Sequence, residues 1–276
     1  MAIYEDINFD IYTSLTGVNI SSLKHMRKSV AHYVQALKEP QKDTPNLLLG
    51  SVVHCLILEP EKFEETYKTI PILDKRTKAG KEQADLLARE CELKGLTPVS
   101  ADVVDTAKAI VANVEKHPFF KNIHDKGCAH ELTATWMNKG VECKGRIDCY
   151  NPNTKTIIDI KTTKDASPAE FAKACYYYGY INQAAWYLQG LNENGLDADN
   201  FIILAIEKDA PYCCAVYRLN PFDIGKADEE NNMWLEKLKE YKETQRVVGY
   251  PEETQELNVP LWALNEIDKT LNYNVF

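Results

Sequence analysis

Two acidic residues and a lysine lie on neighbouring predicted strands of this 276-residue sequence. Asp148 ends the segment Gly-Arg-Ile-Asp, and Asp159 and Lys161 follow in Ile-Asp-Ile-Lys after a turn at 151–155. Carboxylate oxygens are the ligands that Mg²⁺ and Mn²⁺ prefer. Such an ion polarises a phosphoryl oxygen and lowers the pKa of a bound water, which a nearby lysine can hold or deprotonate. The chemistry predicted for this group is phosphodiester hydrolysis.

The pairing of the two strands decides whether the two acids meet. We predict the register that places Asp148 opposite Asp159, because a slip by one residue would mix the apolar and polar faces. The apolar residues then share one face, in the pairs Ile147–Ile160 and Cys149–Ile158. Opposed β-carbons are about 4.5–5.5 Å apart, so the two carboxylates repel unless a cation neutralises them. Lys161 lies on the same strand face as Asp159.

A second interpretation of the same residues stays open. An Asp-x-Lys segment taken alone is more often part of a solvent-facing hairpin, whose charges form weak cross-strand pairs. The opposed acids favour the metal site over this alternative.

The elements that must position these residues follow from the hydrophobic pattern. Short segments rich in Thr, Ile and Val predict an antiparallel meander of three strands and two later strands, at 131–137, 141–150, 156–162, 201–207 and 213–219. Helical spacing predicts helices at 19–38, 47–58, 82–94, 100–116, 168–190 and 221–246. The helix at 47–58 is apolar nearly all round and contains His54, so we expect it to be buried. The fold class predicted is α+β.

The chain shows no internal repeat and no clear linker, which favours a single domain over 1–276. We divide it into an N-terminal helical segment (1–45), a core (46–220), a C-terminal helix (221–248) and a tail (249–276). The tail has weak periodicity, and we expect it to dock a neighbouring protein through Trp262 and Leu264.

Charge and composition exclude several classes of protein. A net charge of -9 excludes a uniformly basic nucleic-acid binder, and 45% hydrophobic residues exclude a disordered chain. No apolar stretch reaches the roughly 18 residues that span a bilayer, and no signal peptide is recognisable. We therefore expect a soluble cytoplasmic protein. A local basic stretch lies at 74–81, with Lys75, Arg76, Lys78 and Lys81.

The order of the motifs resembles the PD-(D/E)xK nuclease superfamily and, within it, the RecB-like exonucleases. The motifs are GRID ending at Asp148, DIKTT beginning at Asp159, and a helix with Gln183-xxx-Tyr187. More closely, segments 47–63, 74–82 and 165–188 (LLLGSVVHCLILEPEKF, DKRTKAGKE and DASPAEFAKACYYYGYINQAAWYL) are similar to the nuclease domain of the RecE, or exonuclease VIII, family and its phage relatives. The resemblance implies a restriction-endonuclease-like core, with a central mixed β-sheet flanked by helices, and a phage or prophage origin in a bacterial cell.

The resemblance also implies roles for individual residues. The metal ligands would be His54, Asp148, Asp159 and the backbone carbonyl of Ile160, and Lys161 would be the catalytic lysine. Glu131 would support the metal or the water, and Gln183 and Tyr187 would orient the site or contact the DNA backbone. Without the family, His54 is more often a hydrogen-bonded core histidine, Glu131 an exposed strand residue, and the Gln183–Tyr187 pair a polar stripe on a helix.

The substrate and partners are likewise implied by the resemblance. Relatives form rings around duplex DNA and degrade one strand in the 5′ to 3′ direction. We therefore expect Mg²⁺ or Mn²⁺ as cofactor, linear double-stranded DNA as substrate, a trimeric or tetrameric ring, and a single-strand annealing recombinase as partner. Expected DNA contacts are Lys75, Arg76, Lys78, Lys81, Arg146, Lys164 and Tyr187, although charge runs in loops are usually only solvated. The eight cysteines show no iron–sulfur spacing, so no cluster is expected.

Three alternatives keep the same residues but change the function. The fold could serve only as a DNA-binding scaffold, although Asp148, Asp159 and Lys161 are all present. The site could belong to an endonuclease without a ring. The substrate could be RNA or a single strand, which differs in how it reaches the metal.

Overall fold

The computed structural model describes residues 1–5, 7–39, 44–74 and 76–273. The strands in this part of the chain are β1 (Ala2–Tyr4), β2 (Tyr67–Ile70), β3 (Thr97–Ser100), β4 (Ala129–Asn138), β5 (Val141–Asn151), β6 (Thr156–Thr163), β7 (Asn200–Glu207) and β8 (Cys214–Arg218). The α-helices are α1 (Phe9–Ser14), α2 (Ile20–Leu23), α3 (Val30–Lys38), α4 (Pro45–Leu58), α5 (Phe63–Thr66), α6 (Lys78–Lys94), α7 (Ala101–Val114), α8 (Pro168–Tyr178), α9 (Tyr180–Glu193), α10 (Pro221–Thr244) and α11 (Leu261–Tyr273).

The central sheet is mixed. Its strand order is β1-β4-β5-β6-β7-β8, and a separate parallel pair joins β2 to β3. The strands β4, β5 and β6 form the predicted antiparallel meander. The crossover through α8 and α9 makes β7 parallel to β6, and β8 returns antiparallel to β7. The predicted α+β class, with a central mixed sheet flanked by helices, is therefore confirmed.

The sheet separates two hydrophobic clusters. The tryptophan cluster contains Trp136, Trp186 and Trp234 and packs α9 and α10 against one face. The second cluster, called here the α4–α7 cluster, packs those two helices against the other face, where Ile158 and Ile160 contact them. Because side chains alternate along a strand, β6 contributes to both clusters.

The strand β5 changes face at Asp148. Ile147 packs in the tryptophan cluster, whereas Cys149, two residues later, packs in the α4–α7 cluster. A regular strand would place residues i and i+2 on the same face. The preceding strand is irregular at the matching position, because Glu131 has a left-handed φ of 50° and drops out of the ladder between the pairs His130–Cys149 and Leu132–Ile147.

The predicted β5–β6 register is correct only at the turn end of the hairpin. The pair Cys149–Ile158 forms, and the ladder continues to the turn through Tyr150–Ile157 and Asn151–Thr156. The predicted pairs Ile147–Ile160 and Asp148–Asp159 are not part of the ladder in the described residues. The physical reason is that Asp148 inserts its own carboxylate, which accepts a hydrogen bond from the Ile160 backbone N–H at 2.8 Å.

Two predicted helices are broken. The 19–38 prediction becomes α2, a 3₁₀ turn at Lys24–Arg27 and α3, because the Ser29 side chain caps α3 by accepting from the His32 backbone N–H. The 168–190 prediction is interrupted at Gly179, whose φ of 74° ends α8 before α9 begins. The helix predicted at 82–94 starts earlier, since Thr77 caps it and places Lys78 and Lys81 inside α6.

The remaining differences concern short or exposed elements. The strands β1, β2 and β3 were not predicted, because three or four residues carry too little periodicity. The helix α4 buries Val52, Val53 and Ile57, while its first turn is partly exposed. The tail forms α11, in which Trp262 and Leu264 are exposed. Among the described residues, no helix is both long and apolar enough to cross a membrane.

Candidate active site

The residues predicted to carry chemistry meet where β4, β5 and β6 lose their regular pairing. The sheet supplies Glu131, Asp148, Asp159 and Lys161, and α4 supplies His54 from the neighbouring layer. The irregular φ of Glu131 and the inserted carboxylate of Asp148 open the ladder at this point. The opening brings together groups that a regular sheet would keep apart.

Three of these side chains have the spacing of a metal site. One ligand atom each from His54, Glu131 and Asp148 lies within 4.8 Å of the other two. The Nδ1 atom of His54 is 3.4 Å from Oδ2 of Asp148, and the backbone of Ile160 lies close enough to the imidazole to act on its pKa. Imidazole nitrogen, carboxylate oxygen and backbone carbonyl are suitable donors for a divalent cation.

Asp159 is a fully buried carboxylate with few groups to compensate its charge. It has 0% relative accessibility, and neither carboxylate oxygen accepts a well-directed hydrogen bond among the described residues. The Nζ atom of Lys161 lies 2.5 Å from Oδ2 and supplies the nearest positive charge. Burial raises the pKa of Asp159 to about 6, because lost hydration outweighs the attraction of Lys161.

The carboxylates around Asp159 share this excess of negative charge. Burial raises the pKa of Asp148, in part offset by Lys161 and by the hydrogen bond from Ile160. Burial also raises the pKa of Glu131, and the charge of Asp148 adds to the effect. Several buried carboxylates beside a histidine are a donor set that a divalent cation would neutralise, so the residues present fit a divalent metal.

Lys161 is held close to the acids. Burial opposes its charge, but Asp159 and Asp148 outweigh that effect and raise the pKa of the ammonium. Its Nζ atom also lies 5.0 Å from the centroid of the Tyr180 ring. The lysine therefore stays protonated in this structure and presents a positive charge at the site. Burial, followed by the charge of Lys161, lowers the pKa of His54, which favours the neutral imidazole that ligates metals.

Arg146 does not point away from the site as a free DNA contact. Its guanidinium forms an ion pair with Glu131 and donates to the backbone carbonyl of Ile7 at 2.8 Å. Both partners hold the side chain in a largely buried position beside Glu131, and its predicted contact with DNA stays a prediction.

Gln183 and Tyr187 form a pair on α9. The Gln183 amide donates to the Tyr187 hydroxyl at 2.9 Å, as their spacing of four residues allows. The Tyr187 ring packs on Gly145, where an added β-carbon would lie 3.0 Å from it. Tyr187 is only 8% exposed, and burial raises its pKa well above the usual value. The structure thus places Tyr187 as a covered ring bonded to Gln183, and its predicted contact with DNA stays a prediction.

The predicted basic stretch is exposed and largely paired within itself. Arg76 bonds Asp74 at 2.9 Å, and Lys78 lies 3.8 Å from Glu82 on the next helical turn. Lys81 and, beyond β6, Lys164 are exposed. Lys75 lies outside the described residues. The structure thus leaves open the predicted phosphate contacts at Arg76, Lys78, Lys81 and Lys164.

Sequence reasoning missed two groups beside the site. Tyr180 lies under Lys161, and Lys24 is close enough to Lys161 for their charges to interact. The run Tyr-Tyr-Tyr-Gly-Tyr at 176–180 was the available signal, because consecutive tyrosines do not fit the pattern of a one-sided helix.

Comparisons with known proteins support the fold. Residues 19–258 match the model of a family described as a PDDEXK-like domain of unknown function (DUF3799). A crystal structure of a protein from Eubacterium rectale, provisionally named an exonuclease, is similar with a TM-score of 0.63 and 14% identity, covering 95% of this chain and 98% of that one.

A second solved structure gives weaker overlap. The phage related exonuclease from Haemophilus somnus 129PT has a TM-score of 0.31 and 12% identity, covering 82% of this chain and 97% of that one. No curated protein matches the sequence. The family match covers most of the chain, and it agrees with a mixed sheet whose opened strands hold Asp148, Asp159 and Lys161. The chain belongs to the family of PDDEXK-like domains of unknown function (DUF3799).

Proposed function

We propose that this protein is a metal-dependent nuclease that hydrolyses phosphodiester bonds in DNA. The observation that carries the proposal is the buried carboxylate of Asp159, which has no well-directed hydrogen bond among the described residues and lies beside Lys161. A buried charge in this condition costs stability unless a cation compensates it. The family and the fold are those expected of such an enzyme.

The residues divide into ligands and a lysine that acts on water. We assign His54, Asp148, Asp159 and the backbone carbonyl of Ile160 as ligands of Mg²⁺, with Mn²⁺ as the alternative. When bound, the ion supplies Lewis-acid stabilisation of the phosphoryl oxygens and a water of lowered pKa. Lys161 holds that water beside the phosphorus and stabilises the negative charge that develops on the phosphoryl group.

Three further residues keep the site in shape. Glu131, fixed by Arg146, offers a carboxylate next to His54 and Asp148 and can accept a hydrogen bond from the water. Gln183 and Tyr187 hold α9 against Gly145 on β5, and so keep Asp148 in position from the opposite side. Gln183 and Tyr187 are positioning residues, because they act through Asp148, whereas Glu131 would contact the water itself.

Within this class we favour an exonuclease of the RecE-like type. It would degrade linear duplex DNA, 5′ to 3′, and leave a 3′ single-stranded overhang for an annealing recombinase. The resemblance of segments 47–63, 74–82 and 165–188 supports this choice, as does the name of the Eubacterium rectale protein that shares the fold. A trimeric or tetrameric ring around the duplex belongs to the same proposal. Exposed candidates for phosphate contacts are Arg76, Lys78, Lys81 and Lys164.

A labelled-end assay tests the proposal. Linear duplex DNA carrying separate labels at its 5′ and 3′ ends is incubated with the protein in Mg²⁺ or in EDTA, beside a closed circular duplex. We expect Mg²⁺-dependent loss of the 5′-ended strand from the linear DNA alone. Cutting of the circle would identify an endonuclease instead. Intact DNA in Mg²⁺ and in Mn²⁺, with binding retained, would leave only the scaffold function.

A further inference from the structure

Three consecutive tyrosines at the end of α8 are exposed. Tyr176, Tyr177 and Tyr178 have relative accessibilities of 61%, 75% and 60%. They fan around the helix end, because successive helical residues are rotated by about 100°. Single exposed aromatic residues are common, but three in succession form an apolar surface that the core does not explain.

This surface is continuous with the candidate active site. The Tyr178 ring stacks on Tyr180 with centroids 5.6 Å apart and an interplanar angle of 28°. Tyr180 in turn lies 5.0 Å from the Nζ atom of Lys161. A path of aromatic rings therefore leads from the proposed catalytic lysine to the surface of the protein.

Two basic side chains border the tyrosines. Lys24 donates to the backbone carbonyl of Tyr178 at 3.2 Å, and Arg27 donates to that of Tyr176 at 3.1 Å. The Arg27 guanidinium also lies 5.0 Å from the Tyr176 ring and covers one side of it. The rings of Tyr177 and Tyr178 remain open to a ligand.

The two basic groups differ in their compensation. Arg27 is paired with Glu230 at 2.9 Å, whereas Lys24 has no carboxylate partner among the described residues. Burial, followed by the charges of Lys161 and Arg27, lowers the pKa of Lys24. In a chain with a net charge of -9, these groups form a local positive region beside open aromatic rings.

We propose that Tyr177, Tyr178 and Lys24 bind a single-stranded segment of nucleic acid next to the cleavage position. This inference rests on the proposed function and deepens it. Unpaired bases stack on the open tyrosine rings, since every base has a π-face, and Lys24 contacts a backbone phosphate. Bases inside a duplex are already stacked on each other, so the surface selects the strand that has been separated from its complement.

Binding in EDTA tests the inference without cleavage. A fluorescein-labelled oligothymidine and a blunt duplex are titrated with the protein, and anisotropy gives both Kd values. We expect Tyr177→Ala and Tyr178→Ala to weaken oligothymidine binding about fivefold or more each, and Tyr178→Phe to bind as the wild type. Duplex binding should change less than twofold. Phe222→Ala, which removes an exposed ring from α10, is the matched control.

The charge of Lys24 is tested by the salt dependence of the same binding. Lys24→Gln should reduce the slope of log Kd against log salt concentration by about 0.7, the value for one phosphate contact on a single strand. Lys108→Gln, an exposed lysine of α7 on the opposite face of the sheet, should leave the slope unchanged.

Each outcome decides the inference separately from the proposed function. Tyrosine-dependent binding by a protein that cleaves no DNA would uphold the strand surface and refute the nuclease. Active cleavage with unchanged oligothymidine affinity in the folded alanine variants would do the reverse. If the alanine variants weaken single-stranded and duplex binding equally, the inference is wrong. It is also wrong if these variants change the oligomeric mass of the protein but keep the wild-type oligothymidine affinity.

Discussion

The interior of the candidate site and the start of α6 both contain several charged residues, but these are buried in the first region and exposed in the second. In the interior, Asp159 lies with no well-directed hydrogen bond among the described residues and only Lys161 as a nearby cation. At the start of α6, Arg76 and Lys78 are exposed, and each has an acid in its own segment. Exposed pairs of this kind contribute little to stability, whereas a buried carboxylate without directed hydrogen bonds is expensive even beside one cation. A buried charge that costs stability is therefore a better indicator of a functional site than a cluster of exposed charges.

The largest expected effect comes from removing the lysine of the interior group. Lys161→Ala should lower kcat for linear duplex about 10³-fold, because it deletes the charge that stabilises the transition state. DNA binding in EDTA and the circular dichroism spectrum should remain close to the wild type. Lys108→Ala, on the far face of the sheet, is the matched control. If Lys161→Ala keeps activity within tenfold of the wild type, the chemistry takes place elsewhere. The buried charges would then indicate function no better than the exposed ones.

The next effect concerns metal affinity. His54→Ala should weaken Mg²⁺ activation at least about tenfold, seen as a shift in the Mg²⁺ concentration for half-maximal cleavage. The physical reason is that its imidazole lies with Glu131 and Asp148 in one group of ligand atoms. His32→Ala, a histidine on α3, serves as the control. An unchanged Mg²⁺ requirement in His54→Ala would make that histidine a core residue.

The buried cost itself can be measured as stability. Burial raises the pKa of Asp159 in the folded protein to about 6 from its ordinary value of 3.8, so this group lowers the free energy of unfolding as pH rises between those values. At pH 8 without metal, Asp159→Asn should therefore be more stable than the wild type by about 1–3 kcal/mol. Urea unfolding in EDTA checks the sign, and a destabilised variant would show that Lys161 already compensates the charge.

Mg²⁺ should reverse that order. Ligand binding to the folded state stabilises it, so millimolar Mg²⁺ should raise the Tm of the wild type and leave Asp159→Asn nearly unchanged. An equal Tm shift in both proteins would mean that the ion binds away from Asp159.

The smallest effect is expected at the start of α6. Arg76→Gln together with Lys78→Gln should weaken duplex affinity only about threefold at physiological salt, because both proposed phosphate contacts are exposed and already locally paired with acids. A tenfold loss of duplex affinity would show that this segment is a major DNA contact. The site interior and the start of α6 would then both be functional regions.

The sequence predicted the larger strands well and the helices less well. The meander of β4, β5 and β6 followed from runs of Thr, Ile and Val with a clear turn between Asn151 and Lys155. The break at Gly179 was missed, because glycine inside an apolar pattern can also continue a helix at modest cost. Three short strands had too few residues for a periodic signal.

The sequence named side chains that the structure brings together, but not their geometry, and their roles stay predictions. Spacing alone put Asp148 near Asp159, and the family resemblance added His54 and Glu131. The insertion of the Asp148 carboxylate in front of the Ile160 N–H was not predictable, since pattern arguments assume that a ladder continues. The position of Tyr180 beside Lys161 depends on the helix break at Gly179, which no local rule specifies.

The change of face along β5 at Asp148 bears on how this protein can evolve. Ile147 belongs to the tryptophan cluster and Cys149 to the α4–α7 cluster, so the packing of both cores determines the position of Asp148 between them. A substitution that loosens either core is therefore expected to displace this one carboxylate. Selection that preserves the position of Asp148 would therefore limit substitutions in both hydrophobic clusters.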